Sequence, residues 1–282
     1  MCGISGYVLS EIPNNIEVIF DKISHRGPDD SGKYFEKIGN AYIGFYHRRL
    51  SIYDLSKAAS QPMKSKNGNN IIIFNGAIYN YKEIWDSLYG EELLPPSGDT
   101  EVLVEAISKW GSMKTWSEVN GMFAAAVLDR EKSLLKIVRD RAGQKPLFYT
   151  INPIIKGKRY TGIVFASELK ALVALIDVSI DENYINEYLV FAKVDASTNT
   201  MYSEIKRLEP AHELIFDLNR GLVGFNNYWN LLNEVKTIVS LNSSESIYEA
   251  TKVYIDKAVS LQMTGDRKLG VMLSSGVDST VL

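Results

Sequence analysis

The 282-residue sequence contains one cysteine, Cys2, and this scarcity excludes an internal disulfide and any metal site built from several cysteines. It has no apolar run near the ~20 residues that a membrane-spanning helix needs, and no basic segment ahead of an apolar core that would indicate a secretory signal. Its 31 Lys and Arg do not exceed its 34 Asp and Glu, so charge gives no reason to expect a nucleic-acid or membrane partner. We therefore expect a soluble, cytoplasmic protein.

The composition is that of an ordinary folded chain, with 45% apolar and 23% charged residues, which excludes disordered and collagen-like classes. Apolar runs predict buried strands at 71–74, 123–128 and 162–166. Apolar spacing over 101–110 predicts a helix, with a cap signal at 97–100. Because strands and helices do not alternate regularly, the pattern favours an α+β sandwich over a doubly wound sheet.

The last third of the chain has a different pattern. Residues 195–229 contain short strand-like pieces broken by Pro210 and Gly221. A capping-box pattern at 242–245 then precedes a predicted helix over 246–261. We place a change of domain near residue 230.

Cys2 occupies an unusual position for a lone cysteine, because residues near a chain end seldom contribute to packing. Removal of Met1 would leave Cys2 with both a thiol and a free α-amine. That amine has an ordinary pKa of ~7.7–8.0, so it can take the thiol proton near neutral pH. The alternative is a dispensable surface cysteine. Any of His25, His47 and His212 could pair with Cys2, although each is typical of a structural or loop histidine.

The segment at 268–280 gives a second functional indication. Its apolar run at 268–273 predicts a buried strand, and the small residues at 274–280 predict a turn that opens a helix. Such a turn presents backbone N–H groups to an anion, although Ser, Gly and Asp are also common in ordinary strand-to-helix turns. The sequence ends at Leu282, before a parallel α/β domain could be completed, so we expect a fragment of a longer protein.

Three interior clusters, at 25–32, 48–52 and 75–80, are predicted as loops. Asn75-Gly76 is the dipeptide most typical of a tight hairpin turn. From the residues alone, Arg49 is equally consistent with a surface ion pair and Asp99 with a helix cap.

Taken together and in order, these segments resemble the glutamine-dependent asparagine synthetases, within the class II glutamine amidotransferases. The shared motifs are Met-Cys-Gly-Ile (1–4), His-Arg-Gly-Pro-Asp (25–29), Arg-Leu-Ser-Ile (49–52), Phe-Asn-Gly (74–76), Gly-Asp-Thr-Glu (98–101), Gly-Met-Phe-Ala (121–124), Arg-Asp-Arg (139–141), Lys-Pro-Leu (145–147), Phe-Ala-Ser-Glu-Leu-Lys-Ala-Leu (165–172) and a variant of the Ser-Gly-Gly-x-Asp-Ser ATP loop (274–279). Each motif is weak alone, but their shared order over nearly the whole chain is specific.

The resemblance implies an α+β fold, the four-layer αββα sandwich of the N-terminal-nucleophile hydrolases. Residues 1–230 would form the glutaminase domain. Residues 231–282 would be the truncated start of an α/β ATP-binding synthetase domain.

It also implies roles for individual residues. Cys2 matches the nucleophile, and Asn75 and Gly76 match the oxyanion donors, through a side-chain amide and a backbone N–H. Arg49 matches the clamp on the glutamine α-carboxylate, and Asp99 the acceptor of its α-ammonium. Other residues matching the glutamine pocket are Leu50, Ser51, Ile52, Tyr53 and Ala77. Those matching the ATP loop are Leu273, Ser274, Ser275, Gly276, Asp278 and Ser279, and no metal ligand is assigned in this fragment.

The implied reaction is hydrolysis of glutamine to glutamate and ammonia at Cys2, without a cofactor. In the full-length enzyme, ammonia would pass to the synthetase domain, where ATP with Mg²⁺ adenylates aspartate and ammonia displaces AMP to give asparagine. The fragment alone is expected to hydrolyse glutamine and not to make asparagine. The resemblance also allows a homodimer.

Two departures from the family pattern bear on these expectations. Ala77 stands where the family has Glu, which leaves more of the recognition of the substrate amine to Asp99. Ser275 stands where the family has Gly, which would cost about 1 kcal/mol if the loop needed a positive φ there.

Other functions remain open. The same glutaminase could serve another carboxylate acceptor, such as a sugar uronate. A non-catalytic scaffold is disfavoured because Cys2, Arg49, Asn75 and Asp99 are all present. Class II amidotransferases acting on phosphosugars or phosphoribosyl groups are disfavoured because they lack the ATP loop.

Overall fold

The computed structural model of the chain describes residues 2–52, 56–90, 96–192, 198–221, 223–235, 244–263, 265–266, 268 and 270–281. In chain order, the strands within these residues are β1 (Gly3–Leu9), β2 (Asp30–Ile38), β3 (Ala41–Arg49), β4 (Met63–Lys64), β5 (Asn70–Ile78), β6 (Gly121–Asp129), β7 (Leu134–Arg139), β8 (Phe148–Ile151), β9 (Ile154–Ile155), β10 (Lys158–Arg159), β11 (Gly162–Ala166), β12 (Lys206–Arg207), β13 (His212–Asp217) and β14 (Val223–Asn227). The α-helices are α1 (Val18–Asp21), α2 (Tyr81–Tyr89), α3 (Asp99–Trp110), α4 (Ser112–Glu118), α5 (Leu169–Val173), α6 (Glu182–Phe191), α7 (Leu231–Val235), α8 (Ser244–Gln262) and α9 (Val277–Val281). Short 3₁₀ turns lie at Ser24–Arg26 and Lys57–Ala59.

Two six-stranded antiparallel sheets form the centre of the fold. The first sheet has the order β12-β8-β11-β1-β3-β2 and the second β14-β13-β7-β6-β5-β4, while β9 and β10 form a separate ribbon. The inner faces of the two sheets pack on each other, with Ile4 and Phe45 of the first among Ile71 and Ile73 of the second.

Helices cover the outer faces, which completes four layers in the order αββα. Helix α3 and its neighbours pack on the second sheet, where Ile72 and Phe74 meet Val102 and Leu103. Helices α1 and α5 pack on the first sheet through residues such as Phe20 and Leu172. Strand β5 is buried on both faces, which explains why its sequence is a continuous apolar run rather than an alternating one.

Several sequence-based predictions are confirmed. The three predicted strands lie within β5, β6 and β11, the predicted helix is α3, and the helix predicted at 246–261 lies within α8. The predicted α+β sandwich with four αββα layers is confirmed. No helix among the described residues combines the length and apolar character needed to cross a membrane.

The loop predictions were wrong at three places. Arg48 and Arg49 end β3, residues 30–32 begin β2, and Asn75–Ile78 continue β5. In each case pairing with another strand overrides a local preference for a turn.

The strand predicted at 268–273 is also not formed by its described residues. Residues 270–273 have no regular structure, Met272 is 95% exposed, and no strand lies beside them within the described part of the chain. An apolar run becomes a buried strand only where neighbouring strands accept its backbone hydrogen bonds. Tyr53, Leu269 and Asn242 of the predicted capping box lie outside the described residues, and the domain change near residue 230 stays a prediction.

Candidate active site

A pocket of about 300 Å³ lies where one end of the first sheet meets the second. Cys2 directly precedes β1, and Arg49 is the last residue of β3, so both come from the first sheet. The second sheet contributes Asn75 and Gly76 of β5, while Asp99 opens α3, which packs on that sheet. The fold therefore brings together in one pocket residues that are up to 97 positions apart in sequence.

The Cys2 thiol is held by the chain that follows β3. The Leu50 amide nitrogen lies 3.4 Å from Cys2 Sγ, and Sγ lies 3.5 Å from the Leu50 carbonyl oxygen. Arg26 Nε donates to the Cys2 carbonyl at 2.8 Å and is itself tied to Glu168 at 2.9 Å. Burial raises the pKa of the Cys2 thiol, and the hydrogen bond with Leu50 only partly opposes this. A base is therefore needed to form the thiolate.

None of the three histidines supplies that base in the structure. His25 Nε2 lies 2.8 Å from Glu168, His47 Nε2 donates to the Phe74 carbonyl at 3.2 Å, and His212 Nδ1 lies 2.8 Å from the Pro210 carbonyl. Burial lowers the pKa of His47 to about 4, so this ring is neutral at physiological pH. All three have the structural roles that were the alternative to pairing with Cys2.

Asn75 and Gly76 present two donors to the pocket. The Asn75 side chain is 1% exposed, and its Nδ2 has no hydrogen-bond partner among the described residues. The amides of Phe74 and Ile78 point away from β6, because each donates to a side chain on the other edge of β5. Alternation along the strand directs the Gly76 amide to that same edge, between the other two.

The close approach of β6 explains the glycine at position 76. A Cβ on Gly76 would lie 2.2 Å from the Met122 carbonyl oxygen and 2.7 Å from Phe123 Cβ. The hairpin turn predicted for Asn75-Gly76 is therefore wrong. Gly76 pairs with Phe123 inside a continuous strand, and the absence of a side chain serves contact between strands rather than a turn.

Asp99 is a buried carboxylate and not a helix cap. It is 6% exposed, its Oδ2 accepts from the Ile78 amide at 3.0 Å, and α3 has Gly98 at its N-cap without a side-chain cap bond. Burial raises the pKa of Asp99 to about 6, against the hydrogen bonds from Ile78 and Thr100 that lower it. The predicted cap signal acts differently, since Ser97 binds the Glu101 carboxylate through its amide and hydroxyl at 2.8 and 2.9 Å.

Arg49 gives the pocket a fixed cation. It is 6% exposed, and its Nη1 donates to the Ser56 carbonyl at 2.7 Å, so it is not part of an exposed surface ion pair. The pocket is lined by a buried guanidinium and a buried carboxylate. This pair suits a zwitterion, such as the α-ammonium and α-carboxylate of a free amino acid.

The remaining residues predicted for this pocket are distributed as follows. Leu50, Ile52 and Ala77 line it, and Ala77 is 6% exposed. Ser51 lies beside the pocket, where its amide donates to Asp29 Oδ2 at 2.8 Å.

Sequence reasoning missed several lining residues. The additional ones are Ala59, Gln61, Phe74, Tyr79, Gly98, Thr100, Met122, Lys145 and Gln262. Lys145 belongs to the Lys-Pro-Leu motif and Thr100 to the Gly-Asp-Thr-Glu motif, so both lie in segments that carry the family resemblance. Lys145 is 6% exposed, and burial lowers its pKa. Nothing local to Gln61 indicates that its side chain would reach the pocket.

The segment predicted to hold ATP phosphates gathers several donors in the turn before α9 and in the first residues of that helix. The Ser274 and Ser279 hydroxyls lie 2.8 Å apart, and the Gly276 amide donates to Ser274 Oγ at 3.2 Å. Hydroxyl and backbone N–H donors fit phosphate oxygens. Ser275 does not adopt a positive φ, so the cost considered for this residue does not arise. Leu273 and Asp278 are exposed, and no cluster of three or more metal-binding side chains occurs within the described residues.

Comparisons with known proteins identify two regions. A family model described as a glutamine amidotransferase domain matches residues 1–229, and one described as asparagine synthase matches residues 251–282. A Bacillus subtilis protein named asparagine synthetase (glutamine-hydrolyzing) 3 is 31% identical, over 100% of this chain and 44% of its own length. A Gibberella zeae protein named amidase chry2 is 27% identical, over 99% of this chain and 42% of its own length.

Among solved structures, the glutamine phosphoribosylpyrophosphate amidotransferase of B. subtilis matches with a TM-score of 0.55 and 19% identity. The match covers 81% of this chain and 49% of the other. This likeness concerns the fold. The chain spans about half the length of the curated relatives that it matches.

Proposed function

Because the chain belongs to the glutamine amidotransferase domain family, we propose that it hydrolyses glutamine with Cys2 as the nucleophile. The observation that carries this proposal is the buried Asn75 Nδ2, which has no partner among the described residues and shares a pocket with the Cys2 thiol. A buried donor without a partner costs about 1–3 kcal/mol. That cost is offset when an oxygen that develops negative charge enters the pocket.

The pocket charges orient the substrate in this proposal. Arg49 binds the glutamine α-carboxylate, and Asp99 accepts the α-ammonium. With Ala77 in place of a carboxylate, Asp99 is the acid available to the ammonium within the described pocket. Leu50, Ile52 and Ala77 form walls around the substrate, and Ser51 and Tyr53 complete the segment after Arg49.

The chemistry begins once Met1 has been removed. The α-amine of Cys2 takes the thiol proton, and the thiolate attacks the side-chain carbonyl carbon of glutamine. Asn75 Nδ2 and the Gly76 amide donate to the resulting oxyanion, and each donor is worth roughly 3–4 kcal/mol by analogy with other oxyanion holes. The α-ammonium of Cys2 returns the proton to the leaving nitrogen as ammonia departs. Water then hydrolyses the thioester to glutamate and frees the Cys2 thiol. No step requires a cofactor.

For the whole protein we propose an ATP-dependent amide ligase that makes asparagine from aspartate. Residues 1–230 would supply ammonia, and residues 231–282 would begin the domain that uses it. Ser274, Ser275, Gly276 and Ser279 would hold the nucleotide phosphates, with Leu273 and Asp278 flanking them. ATP, together with Mg²⁺, would activate the acceptor carboxylate by adenylation. A homodimer is part of the same proposal, to be measured by sedimentation.

A second candidate acceptor is supported by one comparison. The relative named amidase chry2 aligns over nearly the whole chain, although its name does not include asparagine synthesis. The same glutaminase could therefore supply ammonia to a carboxylate other than aspartate, such as a sugar uronate.

The test is glutamate release from glutamine by the 282-residue chain, with an intact mass measured on the same sample. Loss of Met1 together with hydrolysis supports the proposal, and Cys2→Ala should then abolish glutamate release, because no other thiol is present. A Cys2→Ala protein that still hydrolyses glutamine would refute the nucleophile assignment. A processed but inactive wild-type chain would favour the scaffold alternative.

A further inference from the structure

The edge of β5 that faces the pocket is held by side chains rather than by another strand. Strand β4 pairs with β5 only at Ile71 and Ile72. Beyond that point, the Phe74 amide donates to Gln61 Oε1 at 2.6 Å, and the Ile78 amide donates to Asp99 Oδ2 at 3.0 Å. The Gly76 amide lies between these two anchored positions and faces the same way.

The two anchors are joined by a buried hydrogen-bond chain. Gln61 Nε2 donates to Thr100 Oγ1 at 3.1 Å, and Thr100 Oγ1 donates to Asp99 Oδ1 at 3.4 Å. Gln61, Thr100 and Asp99 are each less than 9% exposed. A chain of polar groups therefore runs from Phe74 to Asp99 and returns to the strand at Ile78.

The direction of this chain is fixed at one end by the backbone. The Phe74 amide can only donate, so the oxygen of the Gln61 side chain must face it and the nitrogen must face Thr100. Thr100 therefore accepts from Gln61, and its own proton is left for Asp99. Every donor points toward the Asp99 carboxylate, and such aligned bonds strengthen one another.

Gln61 and Phe74 are also fixed from their other sides. The backbone carbonyl of Gln61 packs against Gly32 so closely that a Cβ on Gly32 would lie 1.9 Å from the backbone oxygen of Gln61. His47, buried in β3, donates to the Phe74 carbonyl, so both polar groups of Phe74 are bound by side chains. This rigid support sits directly before Asn75.

We propose that Gln61 and Thr100 are positioning residues that couple the site for the glutamine α-ammonium at Asp99 to the strand that carries the oxyanion donors. This inference rests on the proposed glutaminase function and extends it. Gln61 acts through Phe74, so it sets the position of Asn75 and Gly76. Thr100 acts through Asp99 and, by way of Gln61, on the strand as well.

The two residues should therefore differ in their effects on binding and turnover. Gln61→Met removes the support of Phe74 but leaves the hydroxyl of Thr100 to donate to Asp99. Since misplacing a catalytic group by 1 Å can cost about a hundredfold in rate, we expect kcat to fall by roughly 10- to 100-fold. The affinity for glutamine, measured by calorimetry in the Cys2→Ala background, should change by less than about threefold, because Arg49 and Asp99 remain.

Thr100→Val removes the hydroxyl with little change of shape, so both glutamine affinity and kcat should fall. Thr100→Ser restores the hydroxyl and should restore most of both. Thr115→Val is the matched control, since Thr115 is also fully buried and its hydroxyl donates at 2.9 Å to the Gly111 carbonyl, outside the pocket. Thermal unfolding of each variant separates loss of positioning from loss of fold.

The double variant Gln61→Met/Thr100→Val tests whether the two residues act as one unit. Residues in one network are not additive, so the double variant should lose less kcat than the product of the single losses. The coupling would be overturned if the two losses of kcat multiplied in the double variant. It would also be overturned if Gln61→Met lost glutamine affinity and kcat/KM equally, or if both single variants had wild-type kinetics. An active wild-type chain with unaffected variants refutes only this inference. An inactive wild-type chain refutes the proposed function, and the coupling to catalysis falls with it.

Discussion

Replacing Asp99 by Asn should raise the free energy of unfolding at neutral pH when glutamine is absent. The same substitution should abolish glutamine binding. Burial raises the pKa of this carboxyl from 3.8 to about 6. The folded protein therefore favours the protonated form, and ionising the group costs stability. The preference of the folded state for protonated Asp99 contributes to the free energy of unfolding. This contribution is fully present below pH ~4 and is lost as the pH rises through about 6.

The shift sets the size of the effect. A rise from 3.8 to about 6 is about two pKa units, and at 1.36 kcal/mol per unit this corresponds to roughly 3 kcal/mol at pH 8. Asn is nearly isosteric and can still accept from the Ile78 amide, so the variant should avoid this cost without leaving a cavity. The gain should fall toward zero at pH 4, where Asp99 is already neutral.

The assay is denaturant unfolding of wild type and Asp99→Asn at pH 4, 6 and 8, with glutamine binding measured by calorimetry at pH 8. Asp177→Asn is the control, because the exposed Asp177 carboxylate also accepts two backbone amides, at 3.1 and 2.7 Å. It should give no comparable gain at pH 8. A stability difference that is the same at pH 4 and pH 8, or an Asp99→Asn protein that binds glutamine as the wild type does, would refute this reasoning.

Three further substitutions test the oxyanion strand and the carboxylate clamp. Gly76→Ala should lower kcat for glutamate release by about 100-fold, because moving its Cβ from 2.2 Å to ordinary contact with the Met122 oxygen displaces the donor by about 1 Å. Gly224→Ala is the control, because a Cβ added at this strand position would meet no atom within 4 Å, and it should leave kcat unchanged. Equal losses of kcat in the two variants would contradict the role of the Gly76 amide. Asn75→Ala should lower kcat by roughly 10²–10³-fold with little change in KM, measured by the same assay. Arg49→Lys should raise KM for glutamine by at least about tenfold, since a lysine loses the planar fork, and an unchanged KM would place the carboxylate elsewhere.

The architecture could be predicted from the sequence to a useful extent, because strand and helix signals are strong where apolar runs are long. The runs within β5, β6 and β11 and the face of α3 were identified from periodicity alone. The four-layer arrangement came from the resemblance to a family, since periodicity does not specify which sheet packs on which. The roles of Cys2 and Asp99 depend on the same resemblance, and they stay predictions until the activity is measured.

The errors share a physical cause. Asn75-Gly76 carries the local signature of a turn, but the Met122 carbonyl on the neighbouring strand determines why a glycine stands there. The apolar run at 268–273 has the composition of a strand but no strand beside it among the described residues. Gln61 and Thr100 are 39 positions apart and have no shared pattern, so their contact becomes visible only in three dimensions.

Two buried polar groups of the pocket are energetically unfavourable in the folded protein, and the proposed substrate has a complementary group for each. In the proposed reaction, the α-ammonium of glutamine would meet the buried Asp99 carboxylate, and its side-chain oxygen would accept from Asn75 Nδ2, which has no partner among the described residues. A protein that used this domain only as a scaffold would be more stable with an apolar residue at either position, because a buried polar group destabilises the fold when no substrate pairs with it. Preorganised groups of this kind stabilise a transition state because they need not reorganise during the reaction. On these energetic grounds we expect catalysis rather than scaffolding, which agrees with the roles that the family resemblance implies for Asn75 and Asp99.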